Sequence, residues 1–180
     1  MVKITRKKLI EILLWIAATV ATIGIGLGLG QWIASCRRND LLDKRLTFHV
    51  QTASGKDVSP ADFVGKPIVV NFWAIWCGPC KVELPYFQDA YDDYEDEVEF
   101  MLINEVNFRG NTVAQGEAFL EQYGYDFPVY YDTRSEASKS CNVSSIPLTL
   151  FIDKEGKVAY TYSGMISKAL LYSYIEKIID

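Results

Sequence analysis

The chain has 180 residues, 49% of them hydrophobic and 23% charged, with 12 Gly, 6 Pro and 4 Cys. That length suits one domain with some chain to spare, and the composition excludes a collagen-like repeat, a disordered polar chain and a dense disulfide scaffold. The net charge of -5 averages two unlike parts: residues 1–45 hold 8 Lys/Arg against 3 acids, and residues 46–180 hold 10 against 20. Such asymmetry marks a targeting segment joined to a folded domain, and the mean hydropathy of +0.05 averages the two in the same way.

Residues 1–8 are basic and are expected to stay in the cytoplasm. Residues 9–34 are nearly all apolar, with Glu11 and Gln31 the only strongly polar interruptions. As a helix these 26 residues would reach about 39 Å, more than the roughly 30 Å of a bilayer core. Trp15 and Trp32 lie near its ends, where amphipathic rings favour the interface. A transmembrane anchor is expected, with the basic start inside and the rest outside. An alternative is a lipoprotein signal, because Ile33-Ala34-Ser35-Cys36 resembles a lipobox. Gly24, Gly26, Gly28 and Gly30 form two overlapping G-x-x-x-G spacings, which would suit a weak dimer through the anchor, although glycine is common in membrane helices anyway. Residues 35–45 read as a charged linker.

From 46 onward strands and helices alternate. A first strand is predicted over 46–52, then a turn at Ser54-Gly55-Lys56-Asp57. Ser59 caps a helical turn with Pro60 at its first position. Ile68-Val69-Val70-Asn71-Phe72-Trp73 reads as a central strand covered on both faces. A helix over 79–94, bent at Pro85, precedes a buried strand over 98–103. Next come a helix over 112–123 stopped by Gly124, a short strand over 129–131 and a short helix over 136–142. A hairpin of 149–152 with 158–162 and an amphipathic helix over 167–179 complete the chain. The pattern predicts one α/β domain, a central mixed β-sheet flanked by helices, over residues 46–180.

Chemistry centres on Trp76-Cys77-Gly78-Pro79-Cys80, where a strand gives way to a helix. A C-x-x-C there can close a disulfide across the first helical turn. Its first sulfur lies at a helix N-terminus, where free N–H groups and the helix dipole favour the thiolate. Pro79 costs nothing, because a first-turn N–H has no partner to lose. A zinc half-site would need a second ligand pair, and Cys36, Cys141 and His49 are scattered. No metal, bound cofactor or nucleic-acid partner is expected.

The run from Gly65-Lys66-Pro67 through Asn71-Phe72-Trp73-Ala74-Ile75-Trp76-Cys77-Gly78-Pro79-Cys80-Lys81, with Ser145-Ile146-Pro147-Leu148-Thr149 downstream, resembles the thioredoxin superfamily. It looks most like the membrane-anchored, extracytoplasmic TlpA/ResA/DsbE-type thiol-disulfide oxidoreductases, and residues 104–132 look like that branch's insert. The resemblance implies a thioredoxin-like fold, with Cys77 as attacking thiol and Cys80 as resolving thiol. It also implies a cis Pro147 facing them, and substrate contact through Trp76, Gly78, Pro79, Ile146 and Pro147. Where cytoplasmic thioredoxins carry a buried Asp, six residues before the first Cys, this chain has Asn71. Glu83 resembles the active-site Glu of the ResA branch, and at three residues after Cys80 it shares a helix face with it. A carboxylate beside a buried thiol raises the thiol pKa and its own, so Glu83 is a candidate for managing the Cys80 proton.

The resemblance further implies protein disulfide substrates, such as apocytochrome c or methionine sulfoxide reductase, and a CcdA/DsbD-like membrane electron donor. Three alternatives stay open: a thiol oxidase, a peroxide-reducing redoxin and a metal-binding chaperone on the same fold. Other conspicuous residues read as structural: Cys141 as a buried thiol, His49 as a strand-face residue, Trp73 as core, and the seven acids among residues 89–99 as a solvated helix end.

Overall fold

The structure, a computed structural model, describes residues 41–106 and 109–180. The expected membrane segment, Cys36 and the glycine run lie outside the described residues. Among the described residues, no helix is long and apolar enough to cross a membrane.

Seven strands form one sheet: β1 (Val50–Gln51), β2 (Asp57–Val58), β3 (Ile68–Trp73), β4 (Glu99–Asn104), β5 (Val129–Tyr131), β6 (Leu148–Ile152) and β7 (Val158–Ser163). Their spatial order is β2-β1-β5-β4-β3-β6-β7. The central β3–β4–β5 pairs are parallel and the outer pairs antiparallel, which is the expected mixed sheet. The helices are α1 (Gly78–Tyr94), α2 (Val113–Tyr123), α3 (Glu136–Ser140) and α4 (Lys168–Ile179).

β3 is buried at all six positions, five of them apolar and one the polar Asn71, as a strand covered on both faces requires. Alternation along β3 divides the core. Val69 and Trp73 face the layer of α1 and α4, with Phe87, Leu84, Leu171 and Ile175. Ile68, Val70 and Phe72 face the other side, with Phe48, Met101, Ala137 and Cys141. Asn71, in step with Val69 and Trp73, therefore points toward α1.

Local chemistry sets the ends of the elements. Ser59 and Asp62 form a capping box on a 3-10 turn at Pro60–Phe63. Thr112 and Gln115 do the same for α2, and Gly124 ends that helix in the left-handed region at φ 70°. α1 continues through Pro85 to Tyr94. Among the described glycines Gly116 is the most tightly packed, since a Cβ there would meet Tyr131 Cε1 at 2.8 Å.

Two differences from the sequence reading concern the N-terminal edge. The predicted strand over 46–52 forms a ladder only at Val50–Gln51. Its neighbour β5 is three residues long and pairs with it only at Gln51↔Tyr131, so Leu46 and Phe48 are buried without a strand partner. The fold also begins before residue 46. Leu41 and Leu42 pack on the second core layer, the Asp43 N–H donates to Val158 O at 3.0 Å, and Arg45 bridges to Lys157.

Candidate active site

Four segments meet at the C-terminal end of β3. β3 delivers Trp73, then Trp76 and Cys77; α1 starts at Gly78 with Cys77 as its N-cap. β6 runs antiparallel to β3 with Leu148 opposite Phe72, which brings Pro147 level with Trp73. The Ile146-Pro147 peptide is cis, as the resemblance implies. The segment after β7 ties in through the Gly164 N–H, which donates to Pro147 O at 2.9 Å.

Cys77 and Cys80 form a disulfide with Cα atoms 5.3 Å apart. Cys77 is 4% exposed and Cys80 is fully buried, so Cys77 is the more accessible residue of the two. The Cys80 backbone N–H donates to Cys77 Sγ at 3.2 Å. That N–H belongs to the first turn of α1 and has no helical acceptor, so it remains to stabilise a Cys77 thiolate once the bond is reduced.

Glu83 lies three residues after Cys80 on α1 and is fully buried. Its Oε1 accepts from Asn71 Nδ2 at 2.9 Å and its Oε2 from the Ile166 N–H at 2.8 Å. Asn71 Nδ2 also donates to Thr149 Oγ1 at 3.1 Å, and Thr149 is the cross-strand partner of Asn71. Burial pushes the Glu83 carboxyl up to about 7, against the Ile166 and Asn71 donors, which pull it down. Asn71 Oδ1 has no hydrogen-bond partner. An amide turned over would let that oxygen accept from the protonated carboxyl, so Asn71 can serve either protonation state. The buried Asp position is thus occupied by an amide that cannot titrate, and the proton is held one helical turn beyond Cys80.

A cleft of about 210 Å³ is lined by Trp76, the residue before Cys77, with Ile146, Glu105, Val143, Ser144 and Ser145. Trp76 and Ile146 thus meet on one surface. Gly78 and Pro79 occupy the first turn of α1, and the Arg109 guanidinium sits 5.0 Å from the centroid of the Trp76 ring. Among the described residues no group of three metal-ligating side chains occurs.

The remaining conspicuous residues lie apart from this site. Cys141 is a free, buried thiol in the second core layer, across the sheet from the pair, and burial pushes its pKa far above the usual thiol range. His49 is on the surface, where Nδ1 lies 3.4 Å from Glu136. Asp89, Asp92 and Asp93 of α1 are exposed, with Asp89 bonded to Lys168 at 2.7 Å and Asp93 to the Tyr172 hydroxyl at 2.6 Å. Sequence reasoning missed Thr149, the Ile166 N–H and Glu105. Thr149 had a signal, a lone hydroxyl inside an apolar strand; Ile166 contributes only backbone and had none.

A strand-to-helix C-x-x-C, a cis-proline segment facing it and a buried carboxyl behind the second Cys are the makings of a disulfide exchanger. Residues 42–161 match the AhpC/TSA family. The chain belongs to the AhpC/TSA family. It is 32% identical over 132 residues to the thiol-disulfide oxidoreductase ResA of Bacillus subtilis, covering 73% of this chain and 72% of that one. Among solved structures it is similar to StoA from Bacillus subtilis, with a TM-score of 0.64, 29% identity, and coverage of 74% of this chain and 98% of that one. A candidate thiol:disulfide interchange protein DsbE from Chlorobium tepidum superposes with a TM-score of 0.70 at 25% identity, covering 78% and 99%. Within its family the chain is a thiol-disulfide oxidoreductase of the ResA/DsbE type with a thioredoxin-like fold.

Proposed function

We propose that this oxidoreductase works as a protein disulfide reductase, tethered by residues 9–34 to the bacterial cell membrane with its catalytic domain on the extracytoplasmic side. The observation that carries the reading is the pairing of an accessible Cys77, capping α1, with a fully buried Cys80 backed by the equally buried Glu83. Reduced Cys77 attacks a substrate disulfide and forms a mixed disulfide. Cys80 then attacks Cys77 Sγ, closes the 77–80 bond and releases the substrate as a thiol. Glu83 takes the Cys80 proton as that attack begins. Substrates in this reading are exported proteins with oxidised cysteines, such as apocytochrome c or methionine sulfoxide reductase. The pair is recharged by a membrane dithiol carrier of the CcdA/DsbD type. The glycine run in the anchor supports weak self-association.

Trapping in intact cells tests this. With Cys80→Ser the mixed disulfide cannot resolve, so exported proteins are expected to accumulate as adducts that dithiothreitol releases. The reading fails if no adduct exceeds the level seen with Cys77→Ser/Cys80→Ser, or if the adducts are cytoplasmic proteins.

A further inference from the structure

Glu105 takes no part in the exchange between Cys77 and Cys80, yet it lines the same cleft as Trp76 and Ile146. It follows β4 directly, and its backbone N–H donates to Trp73 O at 2.8 Å, which anchors it beside the strand that delivers Cys77. The Ser138 hydroxyl lies 2.9 and 3.0 Å from its two carboxyl oxygens. The same hydroxyl also contacts Asp132 Oδ2. One hydroxyl carries one hydrogen and cannot serve two carboxylates at once. Asp132, 1% exposed, already accepts the Ala137 N–H at 3.2 Å and the Ser138 N–H at 2.8 Å. Both of these backbone donors go to Asp132, and the Glu105 carboxyl meets the shared Ser138 hydroxyl. Burial raises the Glu105 carboxyl to about 7, with the negative charge of Asp132 adding to the effect and the Ser138 hydroxyl opposing it. The other titratable or charged groups nearby are the buried Cys141 thiol, raised partly by these same two carboxylates, and Arg109 at the Trp76 ring.

We propose that Glu105 is a further catalytic residue, a general acid that protonates the sulfur leaving the substrate disulfide when Cys77 attacks. The proposal rests on the exchange reading above. Cys77 Sγ, as thiolate, bonds to the nearer substrate sulfur. The substrate S–S bond breaks, and the farther sulfur leaves with the electron pair. That sulfur takes the proton of the Glu105 carboxyl and departs as a thiol. Glu105 remains as a carboxylate and recovers a proton from water at the cleft mouth. The substrate sulfur that departs is reduced, and Cys77 is oxidised into the mixed disulfide. An alkyl thiol ionises near about 8.5, so the proton moves to the more basic atom. Glu83 manages Cys80 in the second step; Glu105 serves the first.

The test uses the full chain carrying Cys80→Ser, reduced, so that only the first attack is observed. Two uncharged probes are compared, bis(2-hydroxyethyl) disulfide, whose alkyl thiolate needs a proton, and 4,4′-dithiodipyridine, whose leaving group does not. Their second-order rate constants are measured from about pH 6 to about pH 9, and the alkyl-to-aryl ratio is taken so that Cys77 ionisation cancels. The ratio is expected to be level below about pH 7 and to fall up to about tenfold per pH unit above it. Glu105→Gln is expected to lower the ratio at about pH 6 by roughly 10- to 100-fold and to remove the bend, and Glu105→Asp to restore part of it. A level ratio with Glu105 intact overturns the proposal, whether or not the variants fold; so does an equal loss with both probes in Glu105→Gln. If neither probe reacts, the exchange reading itself fails, and this step with it.

Discussion

Cys77→Ser is expected to abolish catalysed disulfide reduction, by about 10³-fold or more, whereas Cys80→Ser keeps the first attack and loses turnover. A serine hydroxyl does not ionise near neutrality, so the first substitution removes the nucleophile that the α1 N-terminus and the Cys80 N–H favour. No other described thiol can replace it. Cys141 is 1% exposed, sits in the second core layer across the sheet from the pair, and is held protonated by burial. With Cys80→Ser, Cys77 still attacks, but nothing resolves the mixed disulfide. Reduction of insulin by dithiothreitol, followed by turbidity, reads the loss of turnover, and intact mass without free dithiothreitol separates the two cases. The Cys77 variant gives only the uncatalysed rate. The Cys80 variant, reduced, freed of dithiothreitol and then given insulin, carries a stoichiometric adduct by intact mass that the Cys77 variant lacks. An active Cys77→Ser variant would show that the chemistry lies elsewhere.

Glu83→Gln is expected to change both stability and mechanism. The carboxyl sits at about 7 in the folded protein against an ordinary 4.5, so folding favours its protonated form. Its contribution is fully present below about pH 4.5 and is lost as pH rises to about 7, a total of about 3 kcal/mol. The oxidised protein is therefore expected to lose stability across that window, with Glu105 contributing in the same direction. Glu83→Gln removes the charged state. Its amide oxygen can still accept from Ile166, and Asn71 Oδ1, otherwise unpartnered, accepts from its NH2 group. Urea unfolding at about pH 5 and about pH 8 is then expected to show a smaller difference in the variant. The variant also lacks the proton acceptor for Cys80. Release of substrate from the Cys77 mixed disulfide is expected to slow by roughly 10²- to 10⁴-fold while its formation is spared. A pH profile unchanged by the substitution, or a loss confined to the first step, would contradict the role assigned to Glu83.

Much of the fold was legible because its signals are local. The five apolar positions of β3, the Ser59 and Thr112 caps and the Gly124 stop each carry their own physical cause, and the elements fall where those causes put them. The strand predicted over 46–52 was overread because a ladder depends on the partner, and β5 offers it only one residue pair. Cys77, Cys80 and Glu83 were legible because one helix sets all three. Asn71 was noticed as the place of a missing Asp, but its bonds to Glu83 and Thr149 depend on β3, α1 and β6 meeting, which spacing along the chain does not encode. Glu105 illustrates the same limit. In the sequence it is one acid among twenty in the domain, and only the β4 to β5 packing and α3 set it against Ser138 and Asp132 at the cleft.

A reducing, exchange-active Cys77–Cys80 pair has a low reduction potential. The most direct measurement is the reduction potential, read from the fluorescence of Trp73 and Trp76 in dithiothreitol buffers of graded ratio. The Gly78-Pro79 dipeptide matches that of thioredoxin, so a two-electron transition near about -270 mV is expected, and its absence in Cys77→Ser. A potential above about -150 mV, near the strong oxidants, or a transition that survives loss of Cys77, would contradict the account.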